Sequence, residues 1–256
     1  MFKIATWNVN SLKVRLPHVL SWLEKEKVDV LALQETKSID ENFPIDAIKE
    51  AGYQVSFTGQ KTYNGVATIS KHPIKTISKN IPNYNDPQQR VLAVNTANIT
   101  ILNVYVPNGS EVNSEKYKYK LEWFSKLHPF IKKLHDKNSR LIILGDFNIA
   151  PEDRDVHDPK EWEGSVLVSK SERDEFEKLL SNNMTDCFRI FNNDNGNFSW
   201  WDYRAASFKR DRGVRIDHIL ASKIMSELCK ACYIDKNPRK LERPSDHTPV
   251  VSEFDI

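Results

Sequence analysis

Short apolar runs rich in Val, Ile and Leu recur along the chain: Phe2 to Val9, Val28 to Leu33, Gly65 to Ser70, Val91 to Val106, Leu141 to Leu144, Val214 to Leu220 and Thr248 to Phe254. Each has the length of a strand. Two stretches follow the helical period instead. Leu16, Val19, Leu20 and Leu23 fall on one face, and Leu121, Phe124, Leu127, Ile131 and Leu134 fall on another, which predicts a long helix from about Ser114 to His135. Asn98 separates Val91–Thr96 from Ile99–Val106 and predicts an antiparallel hairpin, while strands separated by helices predict parallel crossovers. No Gly/Ser-rich or Pro-rich linker and no repeat interrupts the pattern. The expectation is one α/β domain over residues 1–256, its mixed sheets covered by helices, with a polar, irregular, substrate-facing loop from about Pro151 to Ser171.

Several polar residues stop these apolar runs. Asn8 and Asn10 follow Lys3–Trp7, Gln34 and Glu35 follow Val30–Leu33, and Asp146 and Asn148 follow Leu141–Gly145. Asp217 lies within Arg215–Leu220, and Asp246-His247 opens the last run. Strands sharing one sheet edge would bring these end residues into a single acidic pocket. Taken alone, each has a plain structural use: Asp146 as a helix cap, Asn8 in a turn, Asp217 paired with Arg215. Together, Glu35, Asp146, Asp217 and Asp246 would repel one another unless a hard cation or a protonated group sits among them. An all-oxygen set beside one histidine suits Mg²⁺, with Mn²⁺ as an alternative, and the absence of a Cys- or His-rich cluster disfavours zinc.

With 39% hydrophobic and 28% charged residues, the composition excludes a wholly disordered or membrane-spanning chain. The net charge of +2 does not announce a nucleic-acid partner, so any anionic ligand needs a local cationic patch. The first residues lack the apolar core of a signal peptide, which makes a cytoplasmic protein the expectation. Nothing in the sequence suggests an oligomer. Three cysteines do not make a disulfide framework, and Cys229-Lys230-Ala231-Cys232 lacks a second ligand pair, so a structural role is expected.

Four strings, Trp7-Asn8-Val9-Asn10-Ser11-Leu12, Asp29 to Lys37, Gly145-Asp146-Phe147-Asn148-Ile149-Ala150-Pro151 and Ser245-Asp246-His247, resemble the exonuclease III family of abasic-site endonucleases. Asp186-Cys187-Phe188-Arg189, Phe198 to Arg204 and Gly213 to Asp217 look like that family's DNA-specific segments. The resemblance covers nearly the whole chain in order. It implies the DNase I-like four-layered α/β sandwich, two mixed sheets between helices, and a magnesium-dependent hydrolase acting on duplex DNA at abasic sites or 3′ ends. Carried over by position, Glu35 is the principal metal ligand with Asn10 and Asp246 nearby. Asp146 handles the proton of the attacking water or leaving oxygen, with Asn148 and Asn8 orienting water and phosphate. His247, held by Asp217, binds a phosphate oxygen, and Tyr105 contacts the scissile phosphate.

The segment from Trp200 to Arg215 supplies the local patch that composition demands. Arg204, Lys209, Arg210, Arg212 and Arg215 alternate with Trp200, Trp201, Tyr203 and Phe208, so cations would neutralise phosphates while aromatics wall a pocket for a base-less sugar. Trp201 and Phe208 fit a core role equally well. Lys116, Lys118 and Lys120 are expected on a solvated helix face. His157 is a candidate wedge that sets preference between internal abasic sites and 3′ termini. Two other readings remain open at this point: a phosphoesterase acting on inositol phosphates or lipids, and a DNA-binding scaffold without catalysis.

Overall fold

The computed structural model describes residues 1–256. Its strands are β1 (Phe2–Asn8), β2 (Val30–Gln34), β3 (Gln54–Thr58), β4 (Val66–Ser70), β5 (Ile74–Ser78), β6 (Val91–Thr96), β7 (Ile99–Tyr105), β8 (Leu141–Asp146), β9 (Met184–Asp186), β10 (Asp217–Ser222), β11 (Cys229–Ile234) and β12 (Val250–Phe254). The helices are α1 (Leu12–Glu26), α2 (Ile45–Glu50), α3 (Glu115–Lys137), α4 (Pro159–Trp162), α5 (Lys170–Ser181), α6 (Cys187–Phe191) and α7 (Lys223–Leu228).

The strands form two six-stranded sheets, ordered β11-β12-β1-β2-β4-β3 and β5-β6-β7-β8-β10-β9. Each contains one parallel pair, β1 with β2 and β7 with β8, joined by the crossover helices α1 and α3. All other neighbours are antiparallel, including the expected β6–β7 hairpin, whose turn residues Ala97 and Asn98 both take positive φ. Ser114 caps α3 by accepting the Tyr117 amide, so the long helix begins where its capping residue predicts.

The alternation of side chains explains the layering. Phe2, Ile4, Val30, Ala32, Ile99, Ile101, Ile142, Leu144, Ile219 and Ala221 point between the sheets and form their shared core. Residues of opposite parity, such as Ala5, Trp7, Leu31 and Leu33, pack outward with α1 residues Leu12, Val19, Trp22 and Leu23. On the far side, Leu102, Val104, Leu141 and Ile143 pack with α3 residues Trp123, Phe124, Leu127 and Ile131. The result is helix, sheet, sheet, helix, the sandwich that the resemblance implies.

Four strands were not marked by apolar runs: β3, β5, β9 and β11. All four carry exposed or half-buried positions that break the run, and β9 has only three residues. The apolar stretch at Val214 also begins before its strand. Val214 makes only isolated bridges, to Val156 and Trp200, and β10 starts at Asp217. The cysteine pair of β11 and Cys187 of α6 are free and buried in the inter-sheet core.

Candidate active site

The polar residues that end the strands do not line one sheet edge, as expected from sequence, but the rim of the space between two sheets. The inward parity that carries Ile4, Ala32, Ile101 and Leu144 continues to Asn8, Gln34, Asn103, Tyr105 and Asp146, where the inter-sheet core gives way to solvent. Register fixes the neighbours: Asn8 stands beside Gln34, Tyr105 beside Asp146, and Asp146 beside Asp217. Gln34 ties the halves together by donating from Nε2 to Asn103 Oδ1 at 2.8 Å. Gly145 allows the close approach beneath Asp146. It has φ +147°, and a Cβ there would lie 1.9 Å from the Val104 carbonyl oxygen.

At the centre, Asn8 Nδ2 donates at 2.9 Å to both Glu35 Oε1 and Asp146 Oδ2, bridging one residue from each sheet. His247 Nδ1 lies 2.8 Å from Asp217 Oδ2, and its Nε2 faces Asp146 Oδ2 at 3.7 Å. Ser199 Oγ also donates to Asp217 Oδ2 while accepting the amides of Ile216 and Asp217. Asp217 therefore holds His247, not Arg215.

These contacts set the charges. Burial pushes Asp146 up to about 7, with Asp217 and Glu35 adding to the rise and His247 opposing it. Against its own burial, the charges of Asp217 and Asp146 raise His247 to about 10, so it is an imidazolium at neutral pH. Burial and Glu35 likewise keep the Tyr105 phenol protonated, well above its usual range, with the Arg90 guanidinium 4.5 Å over its ring. The site thus offers a cationic donor, a phenolic donor and a carboxyl poised to exchange a proton.

A second group of residues flanks Glu35. Asn10 Nδ2 donates to Asp246 Oδ1 at 2.9 Å, and Trp200 Nε1 donates to Asp246 Oδ2 at 3.0 Å. Against the upward push of burial, His247 and these two bonds hold Asp246 below the usual carboxylate range. Lys37 Nζ lies 2.9 Å from Glu35 Oε2 and 2.6 Å from Asn10 Oδ1. An ammonium bridging a carboxylate and an amide oxygen marks a place where oxygen donors converge on positive charge, and that donor set fits a hard divalent cation. The ligand atoms of Glu35, Asp146 and His247 also lie within 4.8 Å of one another. A protonated His247 has no lone pair to offer, however, so the oxygen side of the site is the fitting one. Asn10, Glu35, Lys37 and Asn148 all take positive φ, between 42° and 51°, as does Ser11 at 89°.

The basic-aromatic segment differs from its expectation. Arg215 is 1% exposed, its guanidinium bound to Asp155 and Asp186, and it cannot meet a phosphate. Trp201 is fully buried and donates to Asp211. With Tyr203 and Phe208 it surrounds Arg239, whose carbon lies 4.9–5.9 Å from the three ring centroids and whose Nη1 donates to the Ser245 carbonyl. These aromatics enclose an internal cation. Arg204, paired with Asp202, and Arg212, paired with Glu161, remain on the surface with Lys209 and Arg210. Trp200 is half-buried on Asp246. Val214 bridges both Val156 and Trp200, which brings the His157 loop alongside the Asp246 edge. There Trp162 donates to His157 Nδ1.

Sequence reasoning assigned no role to Lys37, Arg90 or Asn108, which donates to Asn148 Oδ1 at 3.1 Å. Lys37 had a signal, being the only cation in the string that carries Glu35. Lys120 was expected in solvent but is fully buried against Glu172. Beside Glu35 and Tyr105 opens a cavity of about 470 Å³, lined by polar and cationic residues including Arg90, Lys116, Asn64 and Asn108.

Comparison with known proteins agrees with this geometry. The exodeoxyribonuclease III of Haemophilus influenzae is 36% identical over 98% of this chain and 99% of its own. A 3′ phosphatase from Neisseria, solved with a product DNA hairpin, superposes with a TM-score of 0.98 at 42% identity, each chain fully covered. An AP endonuclease from Archaeoglobus fulgidus superposes at 0.94 with 36% identity, again over both full chains. The profile of the endonuclease/exonuclease/phosphatase family matches residues 5–247, a span that begins on β1 and ends on His247, and the chain belongs to that family, in its nuclease branch.

Proposed function

We propose that this protein hydrolyses phosphate esters in duplex DNA, cutting 5′ to abasic sites and trimming nucleotides or phosphate from 3′ ends, as one catalytic unit over residues 1–256. It would do so as a cytoplasmic monomer with Mg²⁺ or Mn²⁺. The observation that carries this reading is the junction where Asn8 joins Glu35 to Asp146 beneath an imidazolium held by Asp217. The three activities share one centre and differ in what lies on either side of the phosphorus.

Glu35, with Asn10 and Asp246 nearby, would hold the cation, which would polarise a phosphate oxygen and offset developing charge. His247 donates from Nε2 to a non-bridging oxygen, its orientation fixed by Asp217. The Tyr105 phenol donates to the same phosphate from the opposite sheet. Asp146, near the middle of its titration at neutral pH, exchanges the proton of the attacking water or the departing 3′ oxygen. Asn8 and Asn148 orient water and phosphate. Exposed Arg204 and half-buried Arg212, with Trp200, contact the DNA, and His157 acts as the wedge that sets the balance between abasic sites and 3′ termini.

The test uses three duplexes, with an internal abasic site, a recessed 3′ end and a 3′ phosphate, each with magnesium and with EDTA. Magnesium-dependent turnover of at least one is expected. Silence on all three overturns the reading and directs attention to inositol phosphates. An unchanged ratio of abasic to 3′-end activity in His157→Gly removes the wedge.

A further inference from the structure

Lys120 is a buried cation that the proposed chemistry does not use. It lies on α3, fully inaccessible, paired with Glu172 of α5, which is equally buried. Taking two charges out of water is expensive, and apolar replacements of such pairs are often neutral or stabilising. Burial outweighs the pull of Glu172 and lowers the Lys120 pKa. A pair this costly calls for a reason beyond stability.

The other protons of the ammonium supply one. Lys120 Nζ donates to the Asn148 carbonyl at 2.7 Å and to the Asn108 carbonyl at 3.2 Å. Those two residues also meet through their side chains, Asn108 Nδ2 donating to Asn148 Oδ1. Asn148 needs the support, because its φ of 49° is unfavourable for a residue with a Cβ and its amide reaches back to Asp146 Oδ1 at 2.9 Å. Glu172 is fixed in turn: besides Lys120, its carboxylate accepts the Leu167 amide and both the amide and hydroxyl of Ser169. One ammonium thus links α3 and α5 to the two loops that leave β7 and β8 at the active site.

We propose that Lys120, braced by Glu172, is a positioning residue that sets the Asn108–Asn148 pair in its reactive orientation. The inference rests on the reading of Asn148 as a group that orients water and phosphate. It predicts an effect on turnover and none on the metal or on DNA binding, since Lys120 touches neither Glu35 nor the exposed cations.

The experiment compares the wild type with Lys120→Met/Glu172→Gln, a neutral pair of similar volume whose one amide oxygen replaces the acceptor of either Leu167 or Ser169. Both are made again on an Asn148→Ala background. In the wild-type background kcat should fall by about ten- to hundredfold, the effect of losing a charge-assisted hydrogen bond that positions a reacting group. KM for DNA and Mn²⁺ affinity by calorimetry should stay near wild-type values. On Asn148→Ala the same pair should change kcat by less than about threefold, as coupled residues do. Equal losses in both backgrounds, or an unchanged kcat, overturn the proposal. If the pair variant does not fold, isosteric Glu172→Gln alone is put through the same cycle, and the same non-additivity is required. A wild-type protein inactive on every DNA substrate refutes the underlying reading instead, and so separates the two failures.

Discussion

The rim between the sheets and the segment from Trp200 to Arg215 are the two regions where polar and aromatic residues are densest in meaning, and they were built in opposite ways. At the rim, Asn8, Gln34, Tyr105 and Asp146 are the last inward-facing positions of their strands and Asp217 is the first of β10, so sheet register decides which of these groups meet. In the Trp200–Arg215 segment no register applies. Side-chain direction is decided by partners far away in sequence: Asp155 and Asp186 draw Arg215 inward, and Arg239 collects Trp201, Tyr203 and Phe208. Trp201 and Arg215, residue types that would bind DNA in solvent, are buried there, while Tyr203, Arg204, Lys209 and Arg210 stay exposed. Chemistry attached to a periodic element can be read from sequence, and chemistry attached to an irregular one is read wrongly unless its partners are known.

The largest expected effect tests the rim. Asp146→Asn keeps the side chain's shape but removes the carboxyl that exchanges a proton, and kcat on the best DNA substrate should fall by about a thousandfold, within the usual contribution of a proton-transferring group. A loss of less than about tenfold in steady-state kinetics would move the chemistry elsewhere. In the segment, Arg215→Met should act on stability. It leaves the Asp186 carboxylate without its cation and Asp155 with Arg189 alone, and removing one partner of a buried pair costs about 3–5 kcal/mol. Urea unfolding measures it. If stability is untouched and DNA affinity drops, Arg215 belongs to the interface after all, and the contrast between the two regions fails.

How much was legible follows the same division. The hairpin, the parallel crossovers, the long helix and the strand-end residues Asn8, Glu35, Asp146 and Asp217 were in the sequence, because apolar period is local, whereas Tyr105 gained a role only through the family resemblance and Asn103, Lys37, Arg90 and Asn108 were missed. The strands of the sheet margins were not, since their half-exposed positions erase the period. Lys120 was misplaced because its spacing beside Lys116 and Lys118 looks like a solvated face, and only the distant Glu172 explains its burial. The placement of the rim across two sheets required knowing that β2 and β8 face one another, a fact of topology and not of spacing.

Two smaller effects sharpen the comparison. His218, next to Asp217, is fully buried; it lies 2.9 Å from the Ile149 carbonyl through Nε2 and 3.0 Å from Arg215 Nη1 through Nδ1. Donation to the first and acceptance from the second make it neutral, and burial, with the charge of Arg215, lowers it to about 4. The unfolded chain, with an ordinary histidine near 6.5, binds the proton first as pH falls. This contribution to stability is therefore complete above about pH 6.5 and is lost toward pH 4, at about 1.4 kcal/mol per pH unit. Urea midpoints at pH 7 and pH 5 should differ by more in the wild type than in His218→Gln, and parallel shifts would assign the loss to other groups. Smallest of all, Arg204→Ala removes an exposed cation. It should weaken duplex binding by a few fold and lower the slope of log affinity against log salt by about one. An unchanged slope would take Arg204 off the DNA.

The order of the strands also governs when the protein becomes able to cut. The sheet that carries Asn8 and Glu35 is assembled from both ends of the chain, with β12 inserted between β1 and β11. Asp246 and His247 precede that strand by only a few residues. A chain emerging from the ribosome can form β1, β2 and the whole second sheet while still lacking a central strand of the first, together with the imidazolium and one of the carboxylates. Pairing of β12 with β1 is therefore what brings Asp246 and His247 to the rim, so the site is complete only once strands distant in sequence have met.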